Sequence, residues 1–456
     1  MKSQSLPVNI LALLDSIINE AVSKISEFTT KPTAFSRHRV IDVSKLIMLI
    51  INMQSESIKK ELFKNISLSG CSIAASAFVQ AKAKLKPDIF RYIFDQLNMN
   101  LASLKLYNDE YRLFAIDGSD FNQVWNPKSE NIVTFKGANR KPYCQIHLNA
   151  LYDLENKTYQ DCVIQPKNKM DERKAAVEML SRLECGKYIV LMDRGYLSFN
   201  MIQHCNVNKD CYYVIRSKTG FTAIKEISQM PDEEFDGVLD CWVTTSNNFY
   251  TQNKDHLSIH LVNHVNHQYK KFKSKNSKDN SWDFKQFCHV RFCVCKFRIN
   301  PDDVPNKEQW EVLVTNLDAD KFPLDRMKEL YNLRWGIETS FKTLKYDDCG
   351  IQFHSKKDEF VKMELYAHLI AYNVIMTMVN QAYAPHPKSK SNSAYQINLS
   401  MAFFIVHFLL GTGSLKKDYE TLLYMISMFA GIIIRPNRNY QRKMHPRSAV
   451  VFNYRL

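Results

Sequence analysis

Apolar side chains recur every three or four residues between positions 330 and 344, which predicts an α-helix with one face in a core. These positions are Leu330, Leu333, Ile337, Phe341 and Leu344. A second set, Tyr331, Arg334, Glu338, Lys342 and Lys345, would lie within about 80° of one another on the same helix. The segment therefore presents one carboxylate flanked by cations and a tyrosine hydroxyl. Taken alone, it could also be a solvated face with stabilising Glu–Lys pairs.

The amino-terminal part of the chain shows the same helical spacing over residues 8–105. A short turn at Gly70-Cys71-Ser72 separates two of its helices, and the second carries Lys82 and Lys84. This arrangement is compatible with helix-turn-helix docking on DNA. An all-helical structural subdomain is the alternative.

From about residue 110 the apolar pattern changes to that of strands. Short apolar runs predict strands at 113–116, 145–152, 159–165, 188–192 and 212–216, with a helix at 171–183. Strands alternating with helices indicate an α/β fold with helices on both faces of a sheet.

The pattern changes again in the second half of the chain. Residues 219–315 are rich in strands and contain a basic loop at 269–280, and helices resume at 322. Residues 386–394 are a polar linker, and residues 395–434 are helical and very apolar. The last segment contains Arg435, Arg438, Arg442 and Lys443 without an acid, which favours a phosphate-contacting tail over a solvated terminus.

These changes predict four regions. Residues 1–105 form a helical DNA-binding domain, residues 106–218 and 316–385 a catalytic domain, residues 219–315 a β-rich insertion, and residues 386–456 a linker, a helical region and a basic tail.

Charge and cysteine content narrow the class of protein. The 456 residues carry a formal net charge of +14, which favours a polyanionic partner, nucleic acid first. Eleven cysteines include no C-x-x-C pair, so we expect reduced thiols rather than a disulfide framework. No secretion signal is visible, and the longest apolar run, 421–434, is shorter than the roughly 20 residues of a bilayer span. We therefore expect a cytoplasmic protein without a membrane partner.

Three carboxylates are candidates for metal chemistry. Asp117 follows the apolar run 113–116, Asp193 follows the run 188–192, and Glu338 lies on the helix described first. Gly118 and Gly195 would let the chain turn sharply after each aspartate. Ligands in open α/β sheets bind at such strand ends, and converging carboxylates suit Mg²⁺ or Mn²⁺. Two such ions can activate a water or a 3′-hydroxyl and stabilise the leaving oxygen of a phosphodiester.

Other polar residues compete for these roles. Asp120 lies three residues beyond Asp117, and Asp153 ends the strand 145–152, but only Asp117 directly follows the apolar run. His147 and His368 fit satisfied core histidines better than metal ligands.

The spacing Tyr331-x2-Arg334-x3-Glu338-x6-Lys345 resembles the Tyr-Arg-Glu-Lys signature of DDE transposases from bacterial insertion sequences, in the insertion-sequence-four group. Asp117-Gly118-Ser119 resembles the first acidic motif of that group, and Asp193-Arg194-Gly195-Tyr196 resembles the second. The resemblance covers residues 110–380 best.

The resemblance implies a ribonuclease-H-like core in which Asp117, Asp193 and Glu338 hold two Mg²⁺ ions, with Mn²⁺ as a substitute. It also implies phosphate contacts by Tyr331, Arg334 and Lys345, and we add Lys342 and Arg194 as DNA-binding candidates. The implied reaction is cut-and-paste transposition: hydrolysis at a 3′ end, formation and opening of a DNA hairpin, then strand transfer. A homodimer holding two transposon ends, in a bacterial nucleoid, is expected on the same basis.

Two tryptophans are candidates for stacking on a flipped base during hairpin formation, Trp242 and Trp282, although core packing is the more common role of each. Two alternatives to the transposase also stay open. One is a transposase-derived DNA-binding protein that no longer cuts, and the other is a metal-dependent nuclease with the same core.

Overall fold

The computed structural model describes residues 9–36, 41–65, 72–101, 104–134, 141–218, 224–255, 258–264, 281–299, 310–347, 351–382, 395–411, 419–429 and 431–433. The predicted basic loop 269–280, the linker 386–394, and the tail with Arg435, Arg438, Arg442 and Lys443 lie outside these residues.

The amino-terminal region is helical, as predicted. Its helices are α1 (Ile10–Ser23), α2 (Val43–Asn52), α3 (Ile58–Lys64), α4 (Ala75–Lys82) and α5 (Asp88–Met99). Asn9 and Asp42 cap the first two helices by accepting hydrogen bonds from backbone amides of the first turn. The apolar faces of α1, α2 and α5 are buried in one core.

The next region forms the centre of a sheet. Its strands and helices are β1 (Arg112–Gln123), β2 (Ile132–Val133), β3 (Tyr143–Asp153), β4 (Thr158–Pro166), α6 (Glu172–Arg182), β5 (Tyr188–Met192), α7 (Phe199–Asn206) and β6 (Cys211–Ser217). Strands β1, β5 and β6 are parallel neighbours, whereas β3 pairs with β1 in the antiparallel sense. The five strands and the helix predicted in this region are all present.

Strand β1 is longer than the sequence indicates. The predicted turn at Asp117-Gly118-Ser119 is wrong, because antiparallel pairing with β3 continues as far as Gln123. Asp117 therefore lies inside a paired strand, opposite Ala150.

The β-rich middle of the chain continues the same sheet. It contains α8 (Lys225–Ser228), β7 (Phe235–Thr244), α9 (Asn247–Asn253), β8 (Ile259–Leu261), β9 (Asn263–His264), β10 (Ser281–Trp282), β11 (Phe287–Arg298) and β12 (Trp310–Thr315). Ten strands of the described residues belong to one sheet of order β2-β3-β1-β5-β6-β12-β11-β7-β8, with β4 paired to β3. The mixed α/β class is thus confirmed, and the domain boundaries stay a prediction.

The remaining elements are mainly helical. They are α10 (Leu324–Asn332), α11 (Trp335–Lys342), a π-helical turn (Thr343–Asp347), α12 (Asp358–Gln381), β13 (Tyr395–Ile397), α13 (Leu399–Gly411), α14 (Tyr419–Phe429) and β14 (Gly431–Ile433). None of the helices described here is long and apolar enough to cross a membrane.

The sheet is covered on both faces. One face packs against α11, α12 and the amino-terminal helices, and the other packs against α6 and α7. Helix α10 covers part of the first face near β5 and β12. The edge where β1 and β5 carry their acids is therefore enclosed by helices from separate parts of the chain.

Lys82 connects the amino-terminal helices to α12. Its side chain is 3% exposed and forms an ion pair with Glu364. Glu364 also accepts hydrogen bonds from Ser355 Oγ at 2.8 Å and from the His354 amide at 2.7 Å. The predicted DNA contact of Lys82 is contradicted, because its ammonium group is buried against a carboxylate.

We expect Lys82→Met to lower the free energy of unfolding by about 3–5 kcal/mol, because it leaves Glu364 buried without its cation. The double variant Lys82→Met/Glu364→Gln should recover part of this loss, since the amide keeps an acceptor for Ser355 and His354. Urea denaturation of both variants tests this prediction. Equal destabilisation by the single and double changes would contradict it.

Candidate active site

The helix predicted over 331–345 is divided into two helices and a π turn, so the prediction of one helix is wrong. Helix α10 ends at Asn332 and α11 begins at Trp335. At the break, the amide of Leu333 donates to the Leu330 carbonyl at 3.1 Å and that of Arg334 to the Tyr331 carbonyl at 3.0 Å. These i to i−3 bonds tighten the turn. Leu333 is consequently 42% exposed, whereas the other four positions of the apolar stripe are buried.

Asp117 and Asp193 follow directly the last paired residues of two parallel strands. The register of β1 and β5 pairs Ile116 with Met192, and the two aspartates come next. Neighbouring strands lie about 4.8 Å apart. Ala115 and Leu191, two residues earlier on each strand, are buried on the face that the helices α10 to α12 cover. Alternation along the strands places both aspartates on that face.

Arg334 connects Asp117 to Glu338. Its Nη2 atom donates to Glu338 Oε1 at 2.8 Å, and its Nη1 atom lies 3.4 Å from Asp117 Oδ2. The Arg334 side chain is 7% exposed, and its guanidinium lies 5.1 Å from the ring centroid of Trp335. The break after α10 thus places a cation between two of the three predicted carboxylates.

The carboxyl group of Asp117 has a perturbed acidity. Burial raises the pKa of Asp117 to about 6, and the negative charges of Asp193 and Glu338 add to this effect. The Gly118 amide, which donates to Asp117 Oδ1 at 2.8 Å, and the Arg334 charge oppose it. A raised pKa in a group surrounded by like charges is typical of functional sites.

Among the residues that the structure describes, no three acid, histidine or cysteine side chains lie close enough together to form a metal cluster as they stand. The side chains of Asp117, Asp193 and Glu338 nevertheless suit a divalent cation, because all three are carboxylates. The negative charges of the other two raise the pKa of Asp117. A cation would offset this mutual repulsion. The Gly195 amide donates a hydrogen bond to Asp193 Oδ1 at 2.7 Å, so Oδ2 is the oxygen that could bind a cation.

Tyr331 is a support for the site rather than a surface residue. It is buried, and its hydroxyl donates to the Met192 carbonyl, with the two oxygens 3.4 Å apart. Its predicted phosphate contact is contradicted by this burial. The bond instead links α10 to the residue before Asp193.

Lys345 lies on the Asp117 face of β1. Its Nζ atom donates to Ser119 Oγ at 2.7 Å and lies 4.8 Å from the ring centroid of Phe121. Burial lowers the pKa of Lys345. Lys342 and Arg194 are exposed near the same site, and the DNA contacts of all three cations stay predictions.

The remaining predicted DNA contacts differ in accessibility. Trp282 is fully buried, and its indole nitrogen donates to the Lys285 carbonyl at 2.8 Å, which contradicts base stacking. Trp242 is partly exposed and stacks on Phe287, with 4.4 Å between ring centroids. The Nζ atom of Lys84 lies 5.2 Å from the ring centroid of Phe35, close to Thr30 and Lys31.

The competing acids have other partners. Asp153 is fully buried and binds Arg112, whose Nη2 atom lies 2.6 Å from its Oδ2. Asp120 binds His147 and Lys167 on the opposite face of β1. The preference for Asp117 over both stays a prediction.

Three residues near the predicted acids were not predicted from the sequence: Ser119, Glu172 and Tyr196. The alternation of a longer β1 would have placed Ser119 beside Asp117. The Tyr196 hydroxyl is buried and has no hydrogen-bond partner among the described residues. Burial raises the pKa of Tyr196, and the charges of Asp117, Glu172 and Asp193 raise it further, so these groups are neighbours.

Known proteins share sequence with this chain. The profile of the family described as transposase DDE domain matches residues 108–374. The chain is 19% identical, over 359 residues, to a putative transposase for insertion sequence element IS4SA from Synechocystis, covering 75% of this chain and 83% of the relative. It is 36% identical over 66 residues to transposase InsG for insertion sequence element IS4 from Escherichia coli, covering 14% and 15%.

A solved structure shares the fold. The piggyBac transposase in a synaptic complex with hairpin DNA superposes with a TM-score of 0.51 at 9% identity, covering 94% of this chain and 86% of that one. At this identity the likeness concerns the arrangement of strands and helices.

We expect Asp117→Asn to stabilise the protein at neutral pH in the absence of divalent cations. Between pH 4 and 6 the folded protein keeps a proton on Asp117 that the unfolded chain has lost, so the free energy of unfolding falls as pH rises through this range. The Asn variant avoids this cost, and we expect a gain of about 1–2 kcal/mol at pH 7.5.

Urea denaturation with EDTA at pH 4.5 and pH 7.5 measures this difference, which should fall to roughly a third at the lower pH. Asp325→Asn, an exposed acid on α10, is the matched control. A destabilised Asp117→Asn protein at pH 7.5 would refute the prediction.

Proposed function

Because the chain belongs to the transposase DDE domain family, and is thus an enzyme that cleaves and rejoins DNA, we propose that Asp117, Asp193 and Glu338 are its catalytic carboxylates. The observation that supports the assignment best is the bridge of Arg334 between Asp117 and Glu338, two residues 221 positions apart in the sequence. Asp193 follows the strand beside Asp117.

Divalent metal dependence accompanies membership of this family. We propose two Mg²⁺ ions, replaceable by Mn²⁺, which would activate a water or a 3′-hydroxyl and stabilise the leaving oxygen. Asp117 and Asp193 would hold their ligand atoms on the rigid sheet, and Glu338 would approach from α11. Arg334 would keep Glu338 oriented and balance the charge of the acids.

The DNA backbone would bind along the basic side chains around these acids. Lys345 is held at Ser119, two residues from Asp117, and the exposed Lys342 and Arg194 extend the positive surface. We propose that these three residues bind phosphates beside the cleaved bond, and that Trp242, the partly exposed one of the two predicted tryptophans, stacks on a base. Lys84 is the amino-terminal residue available for DNA. The net charge of +14 favours this partner.

The proposed substrate is the pair of terminal inverted repeats of the element that encodes the protein, moved by a cut-and-paste route through a hairpin. The IS4-type relatives support an insertion sequence as the element. A homodimer would hold both ends. In this proposal residues 106–218 and 316–385 form a ribonuclease-H-like domain, and residues 219–315 form its insertion.

We expect Glu338→Gln and Asp193→Asn to lower the rate of cleavage of a duplex carrying the inverted repeat by about a thousandfold. The loss follows because an amide is a much weaker ligand of Mg²⁺ than a carboxylate. DNA affinity should change little, and Asp325→Asn should cleave as the wild type does.

The assay is Mg²⁺-dependent nicking of a labelled duplex with an EDTA blank. Retained cleavage by either variant would reject the catalytic assignment. Binding without cleavage by the wild type would favour a DNA-binding derivative, and equal cleavage of duplexes lacking the repeat would favour a general nuclease.

We expect Lys342→Gln and Lys345→Met each to weaken binding of repeat DNA and to reduce the slope of log affinity against log salt concentration by about one. Fluorescence anisotropy between 50 and 200 mM salt measures the slope. Lys187→Gln, an exposed lysine at the end of β5 opposite Asp193, is the control. Unchanged slopes in both variants would place the phosphate contacts elsewhere.

A further inference from the structure

A group of charged side chains lies behind the acids, on the opposite face of β1. His147 on β3 is buried, and its Nδ1 atom lies 2.6 Å from Asp120 Oδ1. Its Nε2 atom lies 3.2 Å from Glu172 Oε1, an ion-pair contact without hydrogen-bond alignment. Lys167 Nζ approaches the second Asp120 oxygen at 2.8 Å. The histidine therefore joins β1, β3 and the first turn of α6.

The same turn of α6 also contacts the segment after Asp193. Arg173 Nε donates to the Gly195 carbonyl at 2.8 Å, and the Gly195 amide donates to Asp193 Oδ1 at 2.7 Å. One turn of helix thus lies close to β1 at Gly118 through Glu172 and binds the segment after β5 through Arg173.

Gly118 brings the histidine close to Asp117. A Cβ atom at position 118 would lie 2.5 Å from His147 Nε2 and 2.9 Å from Glu172 Oε1. Only glycine lets the backbone next to Asp117 pack against the imidazole and the carboxylate. His147 and Glu172 therefore lie against the backbone of the residue that follows Asp117.

We propose that His147, Glu172 and Arg173 form a positioning clamp that fixes the separation of Asp117 and Asp193 for cation binding. The inference rests on the proposed function. None of the three clamp residues is a metal ligand in it. They act through the backbone of β1 and through the turn after Asp193.

The charge state of His147 follows from its neighbours. The groups that face it are Asp120 on β1, Glu172 on α6 and, through Asp120, Lys167, while Gln165 lies opposite on β4. Burial alone would lower the pKa of His147, but Asp120 and Glu172 outweigh it and raise the pKa above the ordinary value. The ion pairs of the clamp are therefore complete while His147 is protonated and its two acids are ionised, and they are lost as pH rises through the pKa of His147 in the folded protein.

The test is Mn²⁺ binding to the full chain, followed by electron paramagnetic resonance across pH. We expect His147→Gln, which keeps a donor but not the charge, to weaken Mn²⁺ affinity about tenfold or more. Wild-type affinity should decline at the alkaline end as His147 loses its proton, and the variant should lack this decline. The matched control is His204→Gln, because His204 is a histidine of α7 that pairs with an acid, Asp283.

Glu172→Gln provides a second variant if His147→Gln does not fold. It keeps the imidazole, and it should lower the pKa of His147 measured by NMR in metal-free protein and weaken Mn²⁺ binding. If both variants keep the Mn²⁺ affinity and pH profile of the wild type, the clamp is wrong and the proposed function is unaffected. If the wild type binds no Mn²⁺, or if Asp117→Asn binds it equally well, the proposed function fails and the clamp fails with it.

Discussion

The guanidinium of Arg334 is the interaction on which the site depends. Two carboxylates from distant parts of the chain face it, and both are partly shielded from water. Two carboxylates that face the same group repel each other unless a cation lies between them. Hydrogen bonds to charged groups contribute about 1.5–3 kcal/mol each. Arg334 thus holds α11 against β1 by charge, while Ile337 and Phe341 hold it by apolar packing.

The break between α10 and α11 makes this contact possible. The short turn at Leu333 and Arg334 separates the axes of two helices, so Tyr331 packs inward against β5 while Arg334 points at the acids. Tyr331, Arg334, Glu338 and Lys345 would share one face of a single straight helix. In the folded protein they make separate contacts. Tyr331 donates to the Met192 carbonyl, Arg334 contacts Asp117 and Glu338, and Lys345 donates to Ser119.

Sequence alone predicted the central strands and the amino-terminal helices, because fully apolar runs such as 188–192 leave little choice of structure. It did not predict that β1 continues past Asp117, since pairing with β3 is a long-range contact that overrides the local turn preference of Asp-Gly-Ser. Neither could it separate a buried lysine from an exposed one. Lys82 lies in a basic segment, yet its partner Glu364 is 282 residues away. His147, which was predicted to lie in the core, is buried, but its acidic partners Asp120 and Glu172 come from two other elements.

The continuity of the sheet bears on how the protein can be divided. Strands β7, β8 and β11 follow β12 in one hydrogen-bonded array, and β12 itself pairs with β6 beside β5. Removing the middle segment would not detach an independent lobe. It would remove β12 along with the other strands and leave a bare row of amides and carbonyls along β6, the kind of edge through which sheets of separate molecules join and aggregate.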